Sequence, residues 1–294
     1  MAKMGVTTGG SMGEIAVGVS TAGPATDRAV RWAAERAAGQ GHRLRLVHVV
    51  DSAIEATGDA ELLLAAQSRA RDCLASARTT AETQSPGLEV VTDLEQGNPA
   101  EVFERLTRGS DLLVVGSDWH GGKRPSRRGV NSLRIAASSS VPVAVIPDID
   151  TAARRGVVVG VDGSEVSDRA LVFAAAEAER IGEPLIAVHA WDIAVMVGGE
   201  YGYGVAMVGA DALGSAAEEV LDDSLAATVA AHPGLEIERR VVAGDPVAAL
   251  VDEAANASLL VVGSHGRGAL ARFLLGSVSH GVLAHLEGPT IVVR

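Results

Sequence analysis

Cysteine is nearly absent from this chain: Cys73 is the single one among 294 residues. A lone thiol closes no intramolecular disulfide, so a disulfide-stapled scaffold is excluded. Cys73 lies in the helical-looking run Ala70 to Ala77, where an inert half-buried thiol is the expected reading. Basic residues are also short, 25 against 37 acidic, leaving a formal charge of −12 that repels nucleic acid and anionic lipid. No apolar run approaches the about 18 residues a membrane span needs, and the opening MAKMGVTTGGSMG has no apolar core of signal-peptide length. The expectation is a soluble, cytoplasmic protein without membrane or nucleic-acid partners. What is plentiful is apolar surface: 47% of residues and a mean hydropathy of +0.23 predict a real core, in one large or two ordinary domains.

Residues 1–13 carry no periodicity and read as a flexible tail. Ile15 to Val19 reads as a strand, and Thr26 to Ala38 as a helix closed by Gly39 and Gly41. Leu44 to Val49 is a second strand, Ala60 to Thr83 a long helix and Leu88 to Val91 a third strand. At Gly97-Asn98-Pro99, Asn98 is the expected N-cap, with Pro99 in the first helical position. Leu112 to Val115 and Val141 to Ile146 complete five strands.

The second half repeats the first. Val157 to Val161 matches the first strand, and Leu185 to Val188 echoes Leu44 to Val47, placing His189 where His48 stood. Gly97 to Gly244, Gly116 to Gly263 and Gly129 to Gly276 share one spacing, 147 residues. A constant offset across three landmarks predicts two copies of one domain, 14–147 and 154–294, joined by a short polar linker at 148–153. Alternating strands and helices, with near-continuous Val/Ile/Leu strands, predict a doubly wound α/β fold with a parallel sheet in each copy. Ligands of such folds bind at the carboxyl ends of strands, where strand order reverses.

The chemistry concentrates between Leu259 and Ser279. An apolar strand runs into Gly263-Ser264-His265-Gly266, and Gly276-Ser277 opens a helix. A glycine turn and a helix N-terminus both present unpaired N–H groups, which suits phosphate. Gly263, Gly266 and Gly268 are expected to supply positive φ and close backbone approach, with Gly276, Ser277 and Ser279 at the distal phosphates. Asp162, after the first strand of this copy, is the natural acceptor for a base or ribose. Tight turns alone would account for any one of these glycines; the set at this spacing argues for an anion site.

Other chemistries fit less well. No Gly-x-x-x-x-Gly-Lys-Ser/Thr occurs. Gly266-Arg267-Gly268-Ala269-Leu270-Ala271 matches a dinucleotide fingerprint, but its acidic partner would be Glu287, in a helix-ending segment rather than after a strand. Ser264-His265 suggests a nucleophile and base, yet no Gly-x-Ser-x-Gly elbow exists, and neighbours in a turn are expected to point apart. The eight histidines lack ligand spacing, so no protein-held metal is expected.

These residues resemble the universal stress proteins in their tandem-domain form. That family's nucleotide motif is glycine, two residues, glycine, nine residues, glycine, then serine or threonine, and Gly263, Gly266, Gly276 and Ser277 match it. The resemblance implies a five-stranded, Rossmann-like, adenine-nucleotide-binding sheet in each copy, ATP with Mg2+ as ligand, Asp162 near the adenine, and a stress-linked regulatory role. It also implies a dimer contact through the last strand, as a homo-oligomer or as an internal pseudo-dimer. Candidate contacts are Gly160, Val161, Asp162, Ala190, Gly244, Val262, Gly263, Gly266, Arg267, Gly268, Gly276, Ser277, Val278 and Ser279.

The first copy departs from the motif. Trp119 replaces the second glycine, Val130 the serine or threonine, and Ser20 the aspartate. Its weaker candidates are Gly18, Gly97, Gly116, Gly129, Val130 and Ser132, near a cationic loop at Lys123 to Arg128. The expectation is ATP in the second copy and weak or no binding in the first. Enzymatic activity is at most a weak ATPase; the alternatives are a slow ATP hydrolase and a nucleotide-independent scaffold with vestigial sites. Residues Trp191 to Gly214 read as a long loop, a lid or a partner surface.

Overall fold

A computed structural model describes residues 12–20, 23–117, 130–191, 210–266 and 275–294. The first copy runs β1 (Glu14–Gly18), α1 (Pro24–Gln40), β2 (Arg43–Asp51), α2 (Ser52–Glu55), α3 (Ala60–Gln84), β3 (Val90–Gly97), α4 (Pro99–Leu106), β4 (Leu112–Ser117), α5 (Val130–Ser138) and β5 (Val143–Pro147). The second runs β6 (Val157–Gly160), α6 (Glu165–Ile181), β7 (Leu185–Trp191), α7 (Ala210–Ala231), β8 (Ile237–Ala243), α8 (Pro246–Ala254), β9 (Leu259–Gly263), α9 (Ser277–Ala284) and β10 (Thr290–Val293).

The ten strands among the described residues form one sheet, in the order β3-β2-β1-β4-β5-β10-β9-β6-β7-β8. Each copy contributes a parallel half, and the halves meet where β10 runs antiparallel to β5. The central strands are buried on both faces, which is why their apolar residues do not alternate: β5 and β10 are buried at every position. The outer strands β3 and β8 are half-exposed and polar. One core holds Ile15, Val17, Leu46, Ile146, Leu171, Leu221 and Ile291 beneath α1, α3, α6 and α7. The other holds Val47, Phe103, Leu113, Ile135, Leu250 and Val282 beneath α4, α5, α8 and α9. Both cores cross from one copy into the other.

Helix boundaries follow local chemistry. Asn98 accepts a hydrogen bond from the Ala100 N–H at 3.0 Å and Pro99 opens α4, as its sequence predicts; Asp245 caps α8 through the Ala248 N–H. Helices α1 and α6 end at left-handed Gly41 and Gly182, with φ of 67° and 68°, while Gly39 is helical and does not end α1. The long loop expected up to Gly214 is shorter, because β7 includes Trp191 and α7 begins at Ala210; positions 192–209 lie outside the described residues. Cys73 is partly buried on α3.

Candidate functional site

Strand β6 pairs with β9 and strand β1 with β4, so in each copy the loops after the first and fourth strands open at one point, where strand order reverses. A cleft lies there in each copy. The one in the second copy measures about 510 Å³ and takes in Gly160, Val161, Asp162, Ala190, Val262, Gly263, Gly266, Gly276, Ser277, Val278 and Ser279. Sequence reasoning named all of these. It missed Ser167, Val188, Pro246 and Leu250, which come from separate elements, and it weighed His265 only as a catalytic base and not as a lining contact. Of the named candidates, Gly244 stands outside the lining, and Arg267 and Gly268 lie outside the described residues.

The glycines matter through proximity. Gly263 and Gly266 are not among the positive-φ residues, contrary to expectation, and neither is Gly276; in the loop after β6 that geometry belongs to Gly163, at φ 71°. A Cβ at Gly263 would lie 3.0 Å from Val166 Cγ1, and one at Gly276 3.1 Å from His265 Cα. At Gly266 a Cβ would run into the Asp162 carboxylate. That carboxylate is held by the Ser164 N–H, which donates to Oδ1 at 3.0 Å.

The turn is stitched to the helix it feeds. The Ser264 carbonyl accepts from the Gly276 N–H at 2.7 Å and from the Ser279 hydroxyl at 2.9 Å. Ser279 is buried and its hydroxyl holds the loop, so what it retains for a ligand is its place in the first turn of α9. No side chain caps α9 at Gly276, leaving that end to the cleft. Ser264 and His265 do not point apart: Ser264 Oγ lies 2.9 Å from His265 Nδ1. Ser264 is fully buried, which withholds it as a nucleophile while it orients the imidazole at the cleft wall. Beneath, His189 Nδ1 lies 2.7 Å from the Val161 carbonyl.

The first-copy cleft is about half as large, 260 Å³. Gly18, Gly116 and Ser132 line it, Gly97 does not, Gly129 lies outside the described residues, and Val130 begins α5. Sequence reasoning missed Phe103, Val49, Thr26, Ser117 and Asp51 in its wall. Phe103 and Val49 stand where the second copy has Leu250 and Ala190, and the added bulk narrows the chamber; a Cβ on Gly18 would lie 2.9 Å from Phe103 Cζ. Asp51, which caps α2 through the Ala53 N–H at 2.9 Å, is a carboxylate on this wall. Burial pushes the half-buried His48 imidazole below its ordinary pKa, the Val19 backbone opposing the shift in part.

Two doubly wound halves with strand order 3-2-1-4-5 and clefts at the strand ends define a tandem Rossmann-like α/β protein. The Universal stress protein family model matches residues 12–147 and again 153–294, and the chain belongs to that family. A universal stress protein of Mycobacterium tuberculosis is 33% identical over a 304-residue alignment covering 98% of this chain and 99% of that protein. A second from the same organism is 37% identical over 214 residues, 70% of each chain. Among solved structures, a universal stress protein from Archaeoglobus fulgidus matches with a TM-score of 0.68 at 19% identity, covering 95% of this chain and 98% of that one, a likeness of fold.

Proposed function

We propose that the second copy binds ATP, accompanied by Mg2+, and that its occupancy regulates a stress response in the cytoplasm. The observation that carries this reading is the coincidence, in one 510 Å³ cleft, of the close-approach glycines, the Asp162 carboxylate and the uncapped start of α9. Clefts of roughly 300–1,000 Å³ accommodate ligands of nucleotide size. The apolar wall of Val188, Leu250 and Val262 suits a base, Asp162 a base or ribose donor, and the turn with Gly276 and Ser277 the phosphates. The metal would travel on those phosphates. Hydrolysis needs a base in reach of a water aligned with phosphorus; among the described lining residues the titratable groups are His265 and Asp162, a set that supports slow turnover at most.

Purified protein is expected to release adenine nucleotide on denaturation, identified by absorbance and mass, with less than one phosphate freed per chain over hours. Rapid multiple turnover would make it a hydrolase. No bound nucleotide, with no binding of added ATP, would leave a scaffold.

A further inference from the structure

The two copies meet around an axis that brings equivalent residues face to face. On the sheet, Ile291 of β10 pairs with Ala144 of β5, flanked by Thr290 with Val145 and Val292 with Val143. Positions 144 and 291 are themselves equivalents, 147 apart like the glycines of the two turns. On the helix layer above, Arg36 of α1 bonds to Glu177 of α6, with side chains 6% and 3% exposed. Positions 36 and 177 are 141 apart, the offset that relates Gly41 to Gly182 and His48 to His189, so they too are equivalents. The same offset relates Trp32 to Phe173, and the Arg36 guanidinium lies 5.5 Å from the centroid of each ring.

An axis that makes a residue meet its own equivalent puts identical residues together whenever two identical copies associate. Two first copies would bring Arg36 against Arg36 without a carboxylate, and Ala144 against Ala144 with volume missing. Two second copies would bring Glu177 against Glu177 beside Phe173 faces, which favour a cation, and Ile291 against Ile291 with volume in excess. Arg180, 3.0 Å from Glu177 on the same helix, neutralises part of that repulsion, so the first copy carries the heavier penalty. Arg36 with Glu177, and Ala144 with Ile291, satisfy charge and volume together.

We propose that positions 36, 177, 144 and 291 form a pairing code, complementary only between unlike copies, so that the sheet edge at β5 accepts a second-type copy and rejects its own kind. The family's nucleotide chemistry plays no part in it. Rejection of the wrong partner is the function of such an ion pair, whose net stabilisation against an apolar pair is small.

The full-length chain tests this, because each single charge reversal recreates one of the like-with-like axes. Arg36→Glu and Glu177→Arg are each expected to lower the unfolding midpoint by on the order of 10 °C. The exchange Arg36→Glu/Glu177→Arg is expected to recover at least half of the summed loss, and to match wild type in mass by light scattering. If a single reversal gives no folded chain, recovery of the folded exchange variant is itself the supporting result. A second cycle, Ala144→Ile, Ile291→Ala and both together, reads the volume part. Coupling in either cycle supports the code at that pair. Additive losses in both cycles, or an exchange variant that does not fold alongside additive losses at 144 and 291, overturn the proposal.

Discussion

At Gly266 a single carbon separates a working turn from a blocked one. A methyl group there meets the Asp162 carboxylate, which the Ser164 N–H fixes in place, so the turn or the aspartate has to move. Gly266→Ala is therefore expected to weaken ATP binding at least about tenfold, equivalent to about 1.4 kcal/mol, while leaving the unfolding midpoint nearly unchanged; equilibrium titration beside a thermal melt separates the two. His48 gives a pH signature. Burial lowers its folded-state pKa below the ordinary 6.5, so the unfolded chain takes up the proton first as pH falls. Stability is unaffected by this group well above 6.5, declines as pH falls through that value, and levels off below the folded-state pKa. In His48→Gln, denaturant titrations across this window should show a shallower acid-side decline.

Helix caps offer the simplest prediction for an element. Asp245 accepts from the Ala248 N–H at 3.0 Å, and Asp245→Ala should cost about 1 kcal/mol in chemical denaturation, with Asp245→Asn retaining most of it. The cap at Asn98 and the glycine stop at Gly41 were legible because their signals are local. So were the central strands, whose burial on both faces leaves an uninterrupted apolar run. Strand β3 extends to Gly97, well beyond the apolar stretch at Leu88 to Val91, because pairing with β2 continues through Thr92, Asp93 and Gln96 regardless of polarity. Helix α2 is four residues long with none buried, too short for periodicity to register. In the site, the motif glycines were readable from their spacing, but the positive φ expected of Gly263 and Gly266 does not occur, and the neighbours that crowd the glycines, Val166, Asp162 and His265, were not legible as such. Leu250, Ser167 and Phe103 reach the clefts from helices distant in sequence, and nothing local marks them.

Across the molecule, the antiparallel β5–β10 pair turns two domains into one ten-stranded sheet with cores that run through the junction. Both copies should unfold in a single calorimetric transition whose calorimetric and van't Hoff enthalpies agree; two resolved transitions would contradict that continuity. The copies are unequal in their clefts. They share a scaffold, yet one cleft measures about 510 Å³ and the other 260 Å³, with Phe103 and Val49 filling what Leu250 and Ala190 leave open. The most direct measurement is calorimetric titration of the full-length chain with ATP and Mg2+. One site per chain is predicted, lost in Gly263→Ala/Gly276→Ala; two equal sites, or binding unchanged in that variant, would contradict the account.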